Sequence, residues 1–368
     1  MELKAKRGDL LAALYWAQSI VERRNTMPIL ANVLVETHNG DIRITATDLE
    51  VGIRGRVNGE IIREGMATLN AKKLYEIVRE TSGETLRLRR LENEWVEITS
   101  GKSVFKIVGM DARDFPQFPR FGEKRLSTAP AMVIREMIER TLFSVSTDET
   151  RQSLNGVYLE TGEGDKVRMV ATDGHRLALI EKSVGPMGLK KGVILPRKGL
   201  TEVRKLLDES EDGLISLEFK ENMGWVVKDE VELFMRLIDG DFPDYNQVIP
   251  KGNPYVVKIE QNEFLRALRR VSILSSERYK GIKMELKDTK ITISASNPDL
   301  GEAAEEIDTE YQGKALTIGF NARYLIDVLG VLGNGGDVEM ELKDEISPCL
   351  LRKSGDEGSL YVIMPMRL

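Results

Sequence analysis

The chain reads as an α+β protein made of three repeated domains, each an antiparallel sheet set with two helices. Three observations carry this. The segment Ile42-Arg-Ile-Thr-Ala-Thr-Asp48 has a partner in Val167-Arg-Met-Val-Ala-Thr-Asp173 and a weaker third copy in Ile291-Thr-Ile-Ser-Ala-Ser-Asn297, roughly 125 residues apart, about one domain. The same five elements surround each copy in the same order. The 368 residues also divide into about two or three domains of ordinary size, enough to bury substantial cores. So long a period marks domain duplication, since solenoids repeat every 20–50 residues or about that.

Each copy opens with an amphipathic helix, predicted over 9–21, 132–145 and 263–274 from apolar residues recurring at helical period. A short strand follows: Leu30-Ala-Asn-Val-Leu-Val-Glu36, then Leu154-Asn-Gly-Val-Tyr-Leu-Glu160, then Tyr279-Lys-Gly-Ile-Lys-Met-Glu285. The repeat-marking strand comes next, and after it a second helix over 71–80, 197–208 and 322–332. Alternating strands such as Thr85-Leu-Arg-Leu-Arg89 and Leu214-Ile-Ser-Leu-Glu-Phe219 close each unit. Copies one and two end alike, in Asp114-Phe-Pro116 and Asp241-Phe-Pro243, and copy three ends in Met364-Pro-Met366. Proline-containing stretches at 115–130 and 242–254 place the boundaries, giving domains 1–119, 120–246 and 247–368.

Fifty-nine acidic against 53 basic residues leave a formal charge of −6, which by itself counts against a nucleic-acid partner. A single cysteine, Cys349, excludes a disulfide scaffold and a cysteine zinc cluster and suits a reducing compartment. No run of 18 apolar residues occurs, and Met1-Glu-Leu-Lys-Ala-Lys-Arg7 lacks a signal-peptide core, so a cytoplasmic protein is expected.

Charge by position tells a different story from the total. On a helical wheel Phe264, Ala267, Leu268 and Val271 cluster, while Arg266, Arg269 and Arg270 point the other way. After Pro196, Leu200, Val203 and Leu207 form an apolar side and Lys198 and Lys205 share the opposite one. Copy one offers Lys72, Lys73 and Arg79 on its second helix and Arg23-Arg24 beyond its first. The pattern is incomplete: Arg135 and Arg140 sit among Glu136 and Glu139, and Arg323 is followed by Asp327. One such face alone is ordinarily solvated surface. Several in equivalent repeat positions would concentrate positive potential along one side of a multi-domain arch while the outside stays acidic. No aromatic residues interleave with these arginines, which argues against stacking on single strands.

Enzymatic signatures are missing. There are two histidines, His38 and His175, and no nucleophile elbow, P-loop, Rossmann fingerprint or HExxH. Gly333-Asn-Gly-Gly336 reads as a helix C-cap and turn. In Ala171-Thr-Asp-Gly-His-Arg-Leu177, Asp173 beside His175 has the look of an acid–base pair. Asp48 and Asn297 stand at the equivalent places without a histidine, so a turn-forming role is the better reading. The end, Leu360-Tyr-Val-Ile-Met-Pro-Met-Arg-Leu368, is almost wholly apolar where chain ends are usually polar. It suits a final core strand followed by an adaptable groove wall.

Taken with Met27-Pro-Ile-Leu30, Thr47-Asp-Leu-Glu50, Leu195-Pro-Arg-Lys-Gly199, Asp241-Phe-Pro-Asp-Tyr245 and Met364-Pro-Met-Arg-Leu368, these motifs show that the whole chain resembles the bacterial DNA polymerase III beta subunit, the sliding clamp family. The resemblance implies clamp-type domains forming half of a ring, a head-to-tail homodimer around duplex DNA, no catalysis, no cofactor and no metal. It implies that the DNA polymerase III alpha subunit, the clamp loader, other polymerases and repair proteins dock through short peptide motifs. Carried onto this sequence, the docking pocket comprises Leu154, Thr172, Gly174, His175, Arg176, Leu177, Pro243, Val248, Tyr279, Ile346, Val362, Ile363, Met364, Pro365, Met366 and Leu368. Arg24, Arg197 and Lys198 match DNA-contacting positions and join Lys72, Lys73, Arg79, Lys205, Arg266, Arg269 and Arg270 as the DNA-facing set. Two departures stand out. Gln247 occupies a place where an arginine borders the pocket, and Gln152-Ser153 replaces a tyrosine pair near the DNA.

Domain size supports the dimer independently. A domain of about 120 residues has a radius of gyration near 14 Å and a diameter of roughly 35 Å. Three such spheres in a ring leave a hole of only about 5 Å and six leave about 35 Å, while groove depths make duplex DNA roughly 20 Å wide. A three-domain chain must therefore pair to encircle it.

Overall fold

In a computed structural model, residues 1–21, 27–119, 127–208, 213–277, 279–311, 313–333 and 335–367 are described. They gather into two compact units, residues 1–132 with 186–188 and 198–237, and residues 133–185 with 189–197 and 238–368. The division runs through the middle repeat because its strands serve two sheets.

In the first unit, an eight-stranded antiparallel sheet joins Val231–Arg236 of repeat two to Val51–Val57 of repeat one, with Leu233 opposite Ile53. A five-stranded sheet beside it runs from Gly59–Arg63 through Glu2–Lys6, Thr85–Arg90 and Trp95–Ser100 to Ser103–Val108. In the second unit another eight-stranded sheet joins Arg176–Ser183 of repeat two to Ser359–Ile363 of repeat three, with Leu177 opposite Val362. A four-stranded sheet there has the order Gly301–Asp308, Lys290–Asn297, Gly281–Lys287, Leu316–Asn321. The single sheet per repeat expected from sequence is thus two half-sheets, and alternation alone could not show which strands fuse across a repeat boundary.

The six expected helices are present: α1 (Arg7–Ile20), α2 (Ala71–Glu80), α3 (Ala131–Leu142), α4 (Arg197–Asp208), α5 (Gln261–Val271) and α6 (Ala322–Val331). Ends shift where local chemistry intervenes. Glu260 caps α5 by accepting the N–H groups of Asn262 and Glu263, which starts that helix two residues early. The predicted tail of α5 tightens into a 3₁₀ turn, Ser272–Leu274. Asn70 and Asn321 cap α2 and α6 in the same manner, one donor each. The apolar face of α5, Phe264, Ala267, Leu268 and Val271, is buried in the repeat-three core with Leu325, Val328 and Leu329 of α6. Gly333, Gly335 and Gly336 all have positive φ after α6, and the Gln261 amide donates to the Gly333 carbonyl at 2.5 Å, so this glycine run is a helix ending.

Candidate functional site

The turn at 172–176 links strands Lys166–Thr172 and Arg176–Ser183. Asp173 accepts the N–H groups of His175 at 2.9 Å and Arg176 at 3.0 Å, and Gly174 takes φ +90°. The Thr172 hydroxyl donates to the Arg176 carbonyl at 2.7 Å and accepts from Gly174 N–H at 3.1 Å. Repeat one builds the same turn from Thr47 and Asp48, the latter accepting from Glu50 and Val51 at 2.9 and 2.7 Å, with Leu49 at φ +79°. Asp173 is therefore a turn former, as its repeat partners suggest, and its carboxylate is spent on backbone and arginine, not on the imidazole.

Arg176 locks the turn from beneath. Its buried guanidinium donates to Asp173 at 3.0 Å, Asp327 at 2.6 Å and the Phe143 carbonyl at 2.6 Å, and lies 4.6 Å from the Tyr324 ring centre. Each of the three guanidinium nitrogens donates, two of them to carboxylates, so a charge with little exposure is tolerated. The His175 ring lies above, exposed, nearly parallel to Tyr324 at 6.5 Å. Of the anticipated pocket residues, Arg176 is thus a support and not a surface group.

The apolar tail closes on this turn. Strand Ser359–Ile363 lies between Arg176–Ser183 and Cys349–Lys353, placing Val362 opposite both Leu177 and Leu350. Beyond the strand, Met364 N–H donates to the His175 carbonyl at 2.9 Å and Met366 N–H to the Gly319 carbonyl at 2.8 Å. Leu177 and Val362 share a buried cluster with Val170, Leu179, Leu350 and Tyr245. Tyr158 and Phe242, stacked at 5.0 Å, pack against its edge. Of the other anticipated pocket residues, Gly174, His175, Pro243, Val248, Tyr279, Ile346 and Met364 are exposed, and Thr172, Leu154, Pro365 and Met366 are half-buried. Ile346 at 80% and Tyr279 at 54% are large apolar side chains left in water, as a docking rim would be.

One expected lining residue is corrected. Ile363 belongs to the opposite, repeat-three core with Tyr361, because successive strand side chains face opposite ways. Leu368 and Arg24 lie outside the described residues. Leu179, Leu350, Tyr245 and the Phe143–Tyr324–Asp327 support were not singled out from sequence. Period-two alternation, Leu177 with Leu179, was the signal for the first; strand pairing between distant segments left none for the others.

Among the described residues, the repeat-one counterpart of this floor is filled by aromatic rings, beside a hollow lined by Glu36, Asp41, Arg43, Arg54 and Phe118. Register places Gly52 where Leu177 stands, Phe234 for Val362, Trp225 for Leu350 and Phe118 for Tyr245. The Phe234 ring occupies the space: a Cβ on Gly52 would lie 2.1 Å from it. Phe118 meets Phe234 edge-to-face at 5.0 Å, and the Arg54 guanidinium covers Phe118 at 4.0 Å. Phe234→Ala should cost about 3–5 kcal/mol of stability, read as a lower denaturant midpoint, because it empties a packed aromatic site.

Of the basic residues, Lys72, Lys73 and Arg79 on α2, Arg197 on α4, and Arg266, Arg269 and Arg270 on α5 are exposed. Several have acidic neighbours: Lys73 meets Glu76 at 2.9 Å, Arg79 meets Glu80 at 2.9 Å, and Arg270 Nε donates to Glu305 at 2.9 Å. Lys198 and Lys205 differ from expectation. Both are half-buried, Lys198 paired with Asp48 and Lys205 with Glu202 at 2.8 Å, because buried carboxylates on the first unit draw them in. Gln247, at the pocket border, donates its amide to Asp244 at 3.0 Å, and Gln152 and Ser153 lie in a short 3₁₀ turn. Cys349 is fully buried and its thiol is pushed well up by desolvation. Among the described residues no cluster of His, Cys, Asp or Glu is arranged to hold a metal, and no helix is long and apolar enough to cross a membrane.

Three α+β repeats sharing sheets, with basic helical faces and an apolar tail closed onto the 172–176 turn, define a DNA sliding clamp, a protein that tethers and does not catalyse. The chain belongs to the DNA polymerase III beta subunit family, whose N-terminal, central and C-terminal domain models match residues 1–119, 128–244 and 246–367. The beta sliding clamp of Pseudomonas putida is 37% identical, and that of Escherichia coli K12 34% identical, each over 100% of both chains. Among solved structures, the Bartonella birtlesii sliding clamp bound to griselimycin has a TM-score of 0.95 at 34% identity, covering 100% of both chains. The Bacillus subtilis clamp has a TM-score of 0.94 at 28% identity, over 100% of this chain and 99% of its own. The chain is accordingly a processivity factor of DNA replication, working as a homodimer on DNA to tether the polymerase.

Proposed function

We propose that the groove between the 172–176 turn and the C-terminal tail is the docking site for partner peptides. The observation that carries this is the hydrogen bond from Met364 to the His175 carbonyl, which joins two exposed apolar features over one buried floor. Griselimycin, the ligand of the Bartonella relative, would occupy the same place. The occupants in the cell are the polymerase alpha subunit, the clamp loader, and other polymerases and repair proteins. Domains 1–119, 120–246 and 247–368 are the units of the ring, and the protein acts in the cytoplasm.

Two free sheet edges supply the head-to-tail contact. Strand Ser103–Val108 ends the five-stranded sheet with Val104 and Val108 exposed at 59% and 57%, and carries Lys106 with Lys102 just before it. Strand Gly301–Asp308 ends the four-stranded sheet and carries Glu302, Glu305, Glu306 and Asp308; the sheet's other edge already holds Met366. Unpaired edges of opposite charge invite pairing between copies. Replacing Val104 and Val108 together with Asp should leave a folded monomer, seen as halved mass in sedimentation; a dimer of unchanged affinity would exclude this edge. The ring lets DNA contact be sequence-independent, through Lys72, Lys73, Arg79, Arg197, Arg266, Arg269 and Arg270. Loaded protein should stay on circular DNA and leave once the circle is cut. Equal retention on both forms would refute encirclement.

A further inference from the structure

A buried ion pair runs from the 172–176 turn of repeat two to α6 of repeat three. Arg176 sends one terminal nitrogen to Asp327 at 2.6 Å and the other to the Phe143 carbonyl at 2.6 Å. Its Nε then reaches one oxygen of Asp173 at 3.0 Å, and the other oxygen of Asp173 receives the N–H groups of His175 and Arg176. The His175 carbonyl in turn takes the Met364 N–H at 2.9 Å. An unbroken chain of hydrogen bonds thus leads from α6 through the turn to the apolar tail. Arg323 also approaches Asp327, but at 3.9 Å, beyond hydrogen-bond reach.

Repetition supplies a comparison within the chain. Glu202 in α4 and Asp327 in α6 are each the sixth residue of their repeat's second helix. Val51 and Arg176 each stand three residues after the turn aspartate and open the strand that follows. Repeat one therefore sends an apolar side chain inward from its turn, and Glu202 is taken instead by the Ser19 hydroxyl at 2.5 Å and by Lys205 at 2.8 Å. Its turn is tied to α4 by Lys198 on Asp48. A lysine is a point charge on a flexible stem, whereas a planar guanidinium fixes direction as well as distance. The rigid link stands at the turn on which the tail closes. A buried ion pair adds little net stability, so defined geometry is what this one contributes.

We propose that Asp327 is a positioning residue for partner docking. By orienting Arg176 it holds the turn, and through the His175 carbonyl it holds the tail wall, at the spacing a docked peptide requires. It acts from the helix of a different repeat and touches no peptide itself. The inference rests on the groove beside His175 being the docking site.

Two measurements on the full-length dimer test it: affinity for griselimycin, and hydrogen exchange at the Met364 amide, with the amides of strand Ser359–Ile363 as internal control. Asp327→Ala should bind griselimycin about tenfold more weakly and exchange Met364 faster, while the strand amides keep their protection. Arg176→Ala should act in the same direction, and the double variant should be no worse than the weaker single one, because both residues serve one link. A merely structural role would lower the denaturant midpoint of Asp327→Ala and leave both readouts of the folded protein unchanged, which overturns the proposal. Either change without the other overturns it too, as do additive losses in the double variant. If Asp327→Ala does not fold, Asp327→Asn, which keeps the side-chain shape and removes the charge, is read by the same criteria. Wild-type protein that binds no griselimycin refutes the docking reading itself, a failure seen before any variant is compared.

Discussion

Removing 364–368 should abolish binding of partner peptides, a loss of at least about a hundredfold, while the dimer keeps its size. The tail contributes little to folding. Strand Ser359–Ile363 is held on both sides, and the two backbone bonds beyond it, from Met364 and Met366, are the only described tail ladder bonds the deletion removes. What goes is a groove wall of Met364, Pro365 and Met366 whose alternative neighbour is water. Truncating anchors at the centre of an interface costs about 2–4 kcal/mol each, so several together exceed a hundredfold. Fluorescence anisotropy with a labelled alpha-subunit docking peptide, beside sedimentation of the truncated protein, separates the outcomes. A truncated chain that is unfolded or monomeric would show that the tail is core and not wall.

Reversing Arg266, Arg269 and Arg270 to Glu should leave peptide docking intact and cripple retention on DNA. All three are exposed on the face of α5 opposite its buried side. Each phosphate that an arginine no longer neutralises should lower the slope of log affinity against log salt by roughly 0.9, doubled because the ring carries two copies. Arg270 is shared with Glu305, so its reversal also puts like charges together on the surface, and Arg266 and Arg269 should account for most of the effect. A salt dependence equal to the wild type would remove α5 from the DNA-facing set.

Repeats one and two diverge at one floor position. Repeats one and two end in the same Asp-Phe-Pro words, and their turns at Asp48 and Asp173 are built from the same hydrogen bonds. Their floors differ, because the strand facing Gly52 brings Phe234 while the strand facing Leu177 brings Val362.

Periodicity and repetition were enough to place six helices and the repeat-marking strands, since amphipathic faces and Asp or Gly turns are local properties of the chain. They also placed the three arginines of α5 on its open face, and the turn role of Asp173 followed from its repeat partners. Tertiary structure decided everything that depends on strands far apart in sequence. It joined the middle repeat to both neighbours, turned Ile363 into a core while Val362 became a floor, drew Lys198 and Lys205 onto carboxylates, and buried Arg176 among Asp173, Asp327 and Tyr324. Local patterns carry the direction of a side chain relative to its own element. Which other element stands opposite is set by long-range pairing, and no single segment encodes it.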